Sequence, residues 1–172
     1  ANAFLMTKVA FINEIDTLCR RLDCDMRAVT DAMGLDHRIG VAFLNPGPGI
    51  GGSCFPKDSL ALNHIANKHN KPLNILQAVI ASNKNRLDEM STLIASHFTN
   101  NHEKKLSILG LAFKAGTDDV RRSPAIDIII RLLKKGFTIF AYDPEAMKNT
   151  KRILGNQIQY CDSIKDCYEH AN

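Results

Sequence analysis

No apolar run in this chain approaches the ~20 residues that a bilayer-spanning helix requires, and none of its five cysteines stand at a C-x-x-C spacing. The first absence excludes a helical membrane span. The second, with an odd cysteine count, argues against a disulfide scaffold or a zinc site and for a reducing cytoplasm. The N-terminal stretch ANAFLMTKVAFINEIDTLCRRL carries Lys8, Glu14 and Asp16 and lacks a signal-peptide cleavage pattern. Low-complexity runs are missing as well. With 45% hydrophobic and 23% charged residues among 172, the composition is that of a soluble globular protein. Like charges do not cluster, and a net charge of +4 spread among acids does not point to nucleic acid; an anionic small molecule fits it equally well. There is no Walker loop and no G-x-G-x-x-G fingerprint. The chain also lacks an initiator methionine and enters directly in helical periodicity, so material is expected to be missing at both ends.

What is present falls into two halves. Apolar residues from Phe4 to Cys19 recur mostly at three- and four-residue intervals, which predicts a helix over about Asn2 to Leu22. A second helix through MRAVTDAM should stop at Gly34, and a third should begin at Pro56, since proline suits a first helical position. A long helix of about Leu73 to His97 carries Leu76, Val79, Ile80, Leu87, Met90, Leu93 and Ile94 along one stripe. After the polar break TNNHEKK the pattern changes. KLSILGLAF, FTIFAYDP and IQYC read as strands, alternating with helices at SPAIDIIIRLLKKG, EAMKNTKRIL and SIKDCYEHA. Ser123 is the expected N-cap and Gly136 the expected C-cap of the first of these helices. Alternation at this spacing predicts a parallel sheet with covering helices.

Chemistry concentrates in two loops. NPGPGIGGSCFPKD places glycines at 47, 49, 51 and 52 ahead of a helix start, where missing side chains allow tight turns or close ligand approach. Unpaired N–H groups at a helix start make an anion cradle. Cys54 stands there, with Lys57 and Asp58 at i+3 and i+4 on the same face. That is a nucleophile with an electrostatic activator and a base; the bland reading is a small cysteine packed in a tight turn beside a solvated Lys–Asp pair. In the second half, GLAFKAGTDDVRRSPA sets Lys114 and Arg121 around Asp118 and Asp119 at the carboxyl end of a strand. Two cations and a helix N-terminus suit a phosphate-bearing ligand, and an ordinary charged loop is the alternative.

Together GPGIGGSCFPKD and LGLAFKAGTDDVRRSPA closely resemble the signatures of the UDP-glucose/GDP-mannose dehydrogenase family, and ANAFLMTKVAFINEI and LDHRIG resemble its central domain. The resemblance runs through essentially the whole chain. It implies an α central dimerisation domain over residues 1–99, followed by a partial α/β, Rossmann-like domain with a parallel sheet over residues 105–172, which would bind a UDP-sugar. The implied activity is a four-electron oxidation of a nucleotide sugar at C6, with NAD as acceptor, in a cytoplasmic homodimer. Ser53, Phe55 and Lys57 favour the UDP-glucose type. Cys54 matches the nucleophile that forms a thiohemiacetal and then a thioester, Asp58 the water-activating aspartate, and Asn2 an asparagine at the reacting centre. Asn45, Gly49 and Gly51 would lie along the sugar nucleotide, Phe113 and Lys114 would contact it, and Arg38 would reach the neighbouring subunit's substrate. Arg121 would meet the NAD pyrophosphate, with Cys54 and Lys57 also touching the cofactor. No metal is implied. The family's N-terminal NAD domain and the lysine expected before Asn2 are missing, so the chain as it stands is expected to be inactive. The stripe from Leu76 to Ile94 serves either the dimer interface or packing against the first helix.

Rival readings are a GDP-mannose or UDP-N-acetyl-hexosamine dehydrogenase, a non-catalytic module that dimerises or binds a UDP-sugar, and a cysteine hydrolase pairing Cys54 with His37 or His64.

Overall fold

The computed structural model describes residues 1–98 and 103–170; the first four residues of the predicted TNNHEKK break lie outside them. The chain forms two compact units. The first holds residues 1–50 and 54–86, the second residues 51–53 and 87–172.

In the first unit, α1 (Asn2–Leu22) and α2 (Met26–Gly34) are followed by an irregular stretch and then α3 (Cys54–Lys68) and the start of α4 (Asn74–Ser96). Helix α1 ends with Asp23 in the left-handed region (φ 55°), and the Cys24 N–H donates back to the Cys19 carbonyl at 2.9 Å. This is the six-to-one bond of a Schellman end. Helix α2 is capped by the Asp25 carboxylate, which accepts from the Arg27 N–H at 2.9 Å. Helix α3 begins two residues earlier than the expected Pro56, at Cys54. A third-position proline costs no bond, because first-turn N–H groups have no intrahelical partner.

Met6, Ala10, Ile50 and Val79 form a buried apolar cluster, with Val9, Phe55 and Ile80 packed on it. Beside it lies a buried polar knot. Arg86, 4% exposed, donates to Asp16 Oδ2 at 2.5 Å, to Thr17 Oγ1 at 2.9 Å, to the Asn13 carbonyl at 3.3 Å and to the Gly47 carbonyl at 2.9 Å. Asp16 also pairs with Arg20 at 2.5 Å. One side chain of α4 thereby ties α1 to the glycine loop. Leu76 and Val79 are buried in this unit and Leu87 in the second, so the α4 stripe is largely used for internal packing.

The second unit contains β1 (Lys105–Leu109), α5 (Pro124–Lys134), β2 (Thr138–Tyr142), α6 (Met147–Leu154), β3 (Gln159–Tyr160) and α7 (Ile164–Glu169). The strands form a parallel sheet in the order β1-β2-β3, with Lys105 opposite Thr138 and Phe140 opposite Gln159. The α/β alternation read from the sequence is therefore the observed fold. Ile128, Ile129, Leu132, Ile139, Ala141 and Leu154 belong to its core. Ser123 is the N-cap residue of α5, but its buried hydroxyl makes no capping bond. The C-cap is Lys135 rather than Gly136, which follows at φ 80°, where a missing Cβ removes strain.

Asp143, just past β2, accepts four backbone N–H bonds: Leu111 at 2.6 Å, Ala112 at 3.2 Å, Glu145 at 2.8 Å and Ala146 at 2.7 Å. Burial opposes its ionisation, yet the four donors outweigh burial and hold its carboxyl below the usual range. The same unit includes residues 51–53. A Cβ on Gly51 would stand 2.4 Å from the Arg122 carbonyl and 2.6 Å from Pro124 Cδ, where α5 begins.

Replacing Arg86 with Met leaves the buried Asp16 carboxylate to half-exposed Arg20 alone and takes the donor from Thr17, Asn13 and Gly47, and should cost about 1–3 kcal/mol, read from urea unfolding. Adding Asp16→Leu should recover most of that loss; a double variant as unstable as the single would place the cost elsewhere. Gly51→Ala forces backbone apart and should lower stability by about 1–3 kcal/mol. Gly47→Ala, with nothing within 4 Å of its added Cβ, should be nearly neutral in the same urea-unfolding series.

Candidate active site

Helix α3 opens at Cys54, whose side chain is exposed. One turn on, Lys57 and Asp58 present an ammonium and a carboxylate 3.7 Å apart. Asn2, the first residue of α1, donates from Nδ2 to Asp58 Oδ2 at 2.6 Å. Residues 56 positions apart in sequence thus meet, and each Asp58 oxygen has a donor or a cation beside it. A carboxylate held in this way keeps lone pairs with which it can accept from a water, beside a solvent-facing thiol. Of the residues singled out in the sequence, Asn2, Lys57 and Asp58 form one cluster at the Cys54 helix start.

The glycine loop is fixed by side chains that the sequence reading did not single out. The Gly47 N–H donates to Asn13 Oδ1 at 2.8 Å while its carbonyl accepts from Arg86. Ile50 is gripped through both backbone groups by the Asn83 amide, at 2.7 and 3.2 Å. Asn45 is exposed and Gly49 half-buried on this pinned segment. The available signal was polar: Asn13, Asn83 and Arg86 interrupt otherwise apolar helix faces.

Arg38 is not part of that cluster. Its guanidinium is turned onto Asp36, with Nε 2.9 Å from Oδ1 and Nη2 2.5 Å from Oδ2. The hydrogen bonds from Arg38 draw the Asp36 carboxyl below its usual range. The loop that carries Arg38 is held by Lys8, whose Nζ donates to the carbonyls of Ile39 at 2.8 Å and Ala42 at 2.6 Å.

In the second unit, Phe113 and Lys114 follow the end of β1, with Lys114 Nζ 5.5 Å from the Phe113 ring centre. The loop closes on itself: the Phe113 N–H donates to the Asp119 carbonyl at 3.0 Å, and Arg121 grips the Asp119 carboxylate through Nε at 2.9 Å and Nη2 at 2.7 Å. The Arg121 guanidinium holds Asp119 down to a pKa of about 2. Gly51 and Gly52 belong here too. The Gly52 N–H donates to the Arg121 carbonyl at 3.1 Å, and a Cβ at this residue (φ 84°) would stand 2.8 Å from the Phe113 ring. Asn149 on α6 is another residue missed in the sequence: its amide donates to the Asp118 carbonyl at 2.9 Å and carboxylate at 3.0 Å, while Arg152 donates to its Oδ1 at 3.0 Å. Between this loop and α6 lies a cleft of about 590 Å³, lined by Thr117, Asp119, Arg121, Asn149, Arg152 and Ile153 among others. Among the described residues no group of three or more His, Cys, Asp or Glu side chains is placed to hold a metal ion, and no helix is long and apolar enough to cross a membrane.

The central-domain model of the UDP-glucose/GDP-mannose dehydrogenase family matches residues 1–85, and that family's UDP-binding-domain model matches residues 107–172. A UDP-glucose 6-dehydrogenase of Rickettsia bellii is 49% identical over 97% of the chain, and one of Bacillus subtilis 45% identical over all of it. Among solved structures, a UDP-glucose dehydrogenase of Pyrobaculum islandicum superposes with a TM-score of 0.93 at 33% identity over 99% of the chain. A GDP-mannose dehydrogenase of Pseudomonas aeruginosa follows at 0.69 and 29% over 96%. The chain spans 39% of the Rickettsia bellii protein, 37% of the Bacillus subtilis one, 39% of the Pyrobaculum islandicum chain and 40% of the Pseudomonas aeruginosa chain. Two matched models of one family, in order and over most of the sequence, lead to one conclusion: the chain belongs to the UDP-glucose/GDP-mannose dehydrogenase family.

Proposed function

We propose that this chain supplies two domains of an NAD-dependent UDP-glucose 6-dehydrogenase, residues 1–99 as a helical central domain and residues 105–172 as a UDP-sugar-binding domain, and does not turn over substrate by itself. The observation that carries the reading is the 2.6 Å bond from Asn2 to Asp58, one turn along α3 from the exposed Cys54. It sets an oriented carboxylate beside a thiol, the combination that covalent capture and hydrolysis of an acyl group require. In this reading Cys54 Sγ adds to C6 at the aldehyde level, a C–S bond forms, and the carbonyl oxygen takes a proton to give a thiohemiacetal. Oxidation of that carbon leaves a thioester. Asp58 then takes a proton from the attacking water, the C–S bond breaks, and C6 leaves as a carboxylate. Asn2 orients Asp58 and offers its amide to the oxygen at the reacting carbon. Such work suits a reducing cytoplasm, where Cys54 remains a thiol.

When bound, NAD supplies the two-electron acceptor for each oxidation. Lys114, Arg121 and Arg122 are exposed around the loop after β1, a donor set that suits a pyrophosphate. In the second unit Arg121 would meet the cofactor's pyrophosphate and Phe113, Lys114 and Gly51 the sugar nucleotide; in the first, Cys54 and Lys57 would touch the cofactor and Asn45 and Gly49 the sugar nucleotide. Arg38 would serve a neighbouring subunit. Its pair with Asp36 is open to solvent, where ion pairs are weak, so the guanidinium can exchange Asp36 for a phosphate oxygen. Ser53, Phe55 and Lys57, and the activity by which the Rickettsia bellii and Bacillus subtilis relatives are named, support UDP-glucose over GDP-mannose.

A homodimer through the central domain belongs to the same proposal. Helix α1, not α4, offers the surface. Phe4, Phe11, Leu18 and Leu22 are 70%, 50%, 52% and 63% exposed. At spacings of seven, seven and four they lie along one side of the helix, a stripe that a second copy would cover.

The protein at its full encoded length should form two NADH per UDP-glucose, and Cys54→Ala should abolish turnover or stall it. Activity only on another nucleotide sugar would replace the substrate, and full turnover without the thiol would overturn the covalent role. The pair Phe11→Glu and Leu18→Glu should convert a dimer to a monomer in sedimentation velocity; a dimer that persists would move the interface off α1.

A further inference from the structure

We propose that Cys19 and Cys24 are a peroxide-sensitive dithiol, closing to an intrachain disulfide across the end of α1. Cys19 opens the last turn of α1 and is 6% exposed; Cys24 lies just beyond left-handed Asp23 and is exposed. The six-to-one bond from the Cys24 N–H to the Cys19 carbonyl folds the chain back at this point. Residues so joined commonly set their side chains against each other, and the Cys24 thiol stays within the same turn, donating to the Leu22 carbonyl at 3.9 Å. A disulfide needs Cα atoms about 4.4–6.8 Å apart, a separation that suits positions joined by a six-to-one turn. The thiol of the buried member is pushed up first by burial and then by its neighbour's charge, and the exposed member is the one an oxidant from solvent meets.

The reaction balances with a peroxide as oxidant. The Cys24 sulfur attacks one peroxide oxygen, the O–O bond breaks, and water leaves, giving a sulfenic acid. The Cys19 sulfur then displaces that oxygen; its proton leaves with the second water and the S–S bond forms. Two electrons pass from the two thiols to one peroxide. A second thiol pair supplies an internal contrast. Cys161 and Cys167 share one small buried cluster, but they are 4% and 0% exposed, and burial pushes Cys161 up to about 12. Neither member is open to an oxidant from solvent.

The test uses the full chain, treated with hydrogen peroxide, capped with iodoacetamide and digested with trypsin without reduction. Cleavage after Lys8, Arg20, Arg21 and Arg27 separates the two cysteines. The expected product is peptide 9–20 joined to peptide 22–27. It should disappear on treatment with dithiothreitol and fall to background in Cys24→Ser, whose fold is checked by circular dichroism. Cys161 and Cys167 should be recovered as thiols until the protein is unfolded. Cys24 recovered capped, or carried to sulfinic acid while Cys19 remains a thiol, would overturn the proposal. So would Cys161 joined to Cys167 in the native protein as readily as Cys19 to Cys24.

Discussion

Arg86 is the fastening on which the first unit depends. Its guanidinium is surrounded by protein, and an isolated buried charge would cost several kcal/mol or more. Asp16 supplies the opposite charge, and Thr17, Asn13 and Gly47 accept the remaining donors. Removing any one partner leaves the others desolvated, so the arrangement holds as a whole or fails. Because one of those partners is the Gly47 carbonyl, the same knot sets the path of the glycine loop toward Cys54.

Asp143 plays the corresponding part in the second unit. A carboxylate that collects four backbone N–H groups from the ends of β1 and β2 fixes where the loop after β1 leaves the sheet. That loop carries Phe113, Lys114 and Arg121. Asn149 then holds its far side from α6, and Arg152 fixes the orientation of that amide. In both units, polar side chains that take no part in the proposed chemistry set the backbone from which the proposed chemical groups project. The glycines complete the arrangement by absence: Gly51 and Gly52 have no room for a Cβ against Arg122, Pro124 and Phe113.

The thiols divide by the same logic of access. Cys54 faces solvent at a helix start, Cys161 and Cys167 are sealed in a small core beside Phe140, and Cys19 with Cys24 straddles the boundary. In part, burial separates what five chemically identical side chains can do.

Helix and strand positions, the change from a helical half to a parallel α/β half, and the two unusual loops were all legible in the sequence, because periodicity and turn chemistry are local. The three- and four-residue spacing of α1 and the alternation after residue 105 needed no partner to be read. Differences arose where a neighbour decides the outcome. The start of α3 moved to Cys54, and Ser123 capped by position without using its hydroxyl. The meeting of Asn2 with Asp58, the grip of Arg86 on Gly47 and the four donors on Asp143 join residues 30 to 60 positions apart or close turns around them. Spacing along a chain cannot specify such pairings. They exist because helices and strands pack in one arrangement, and a buried polar group must find its partner within reach of that arrangement.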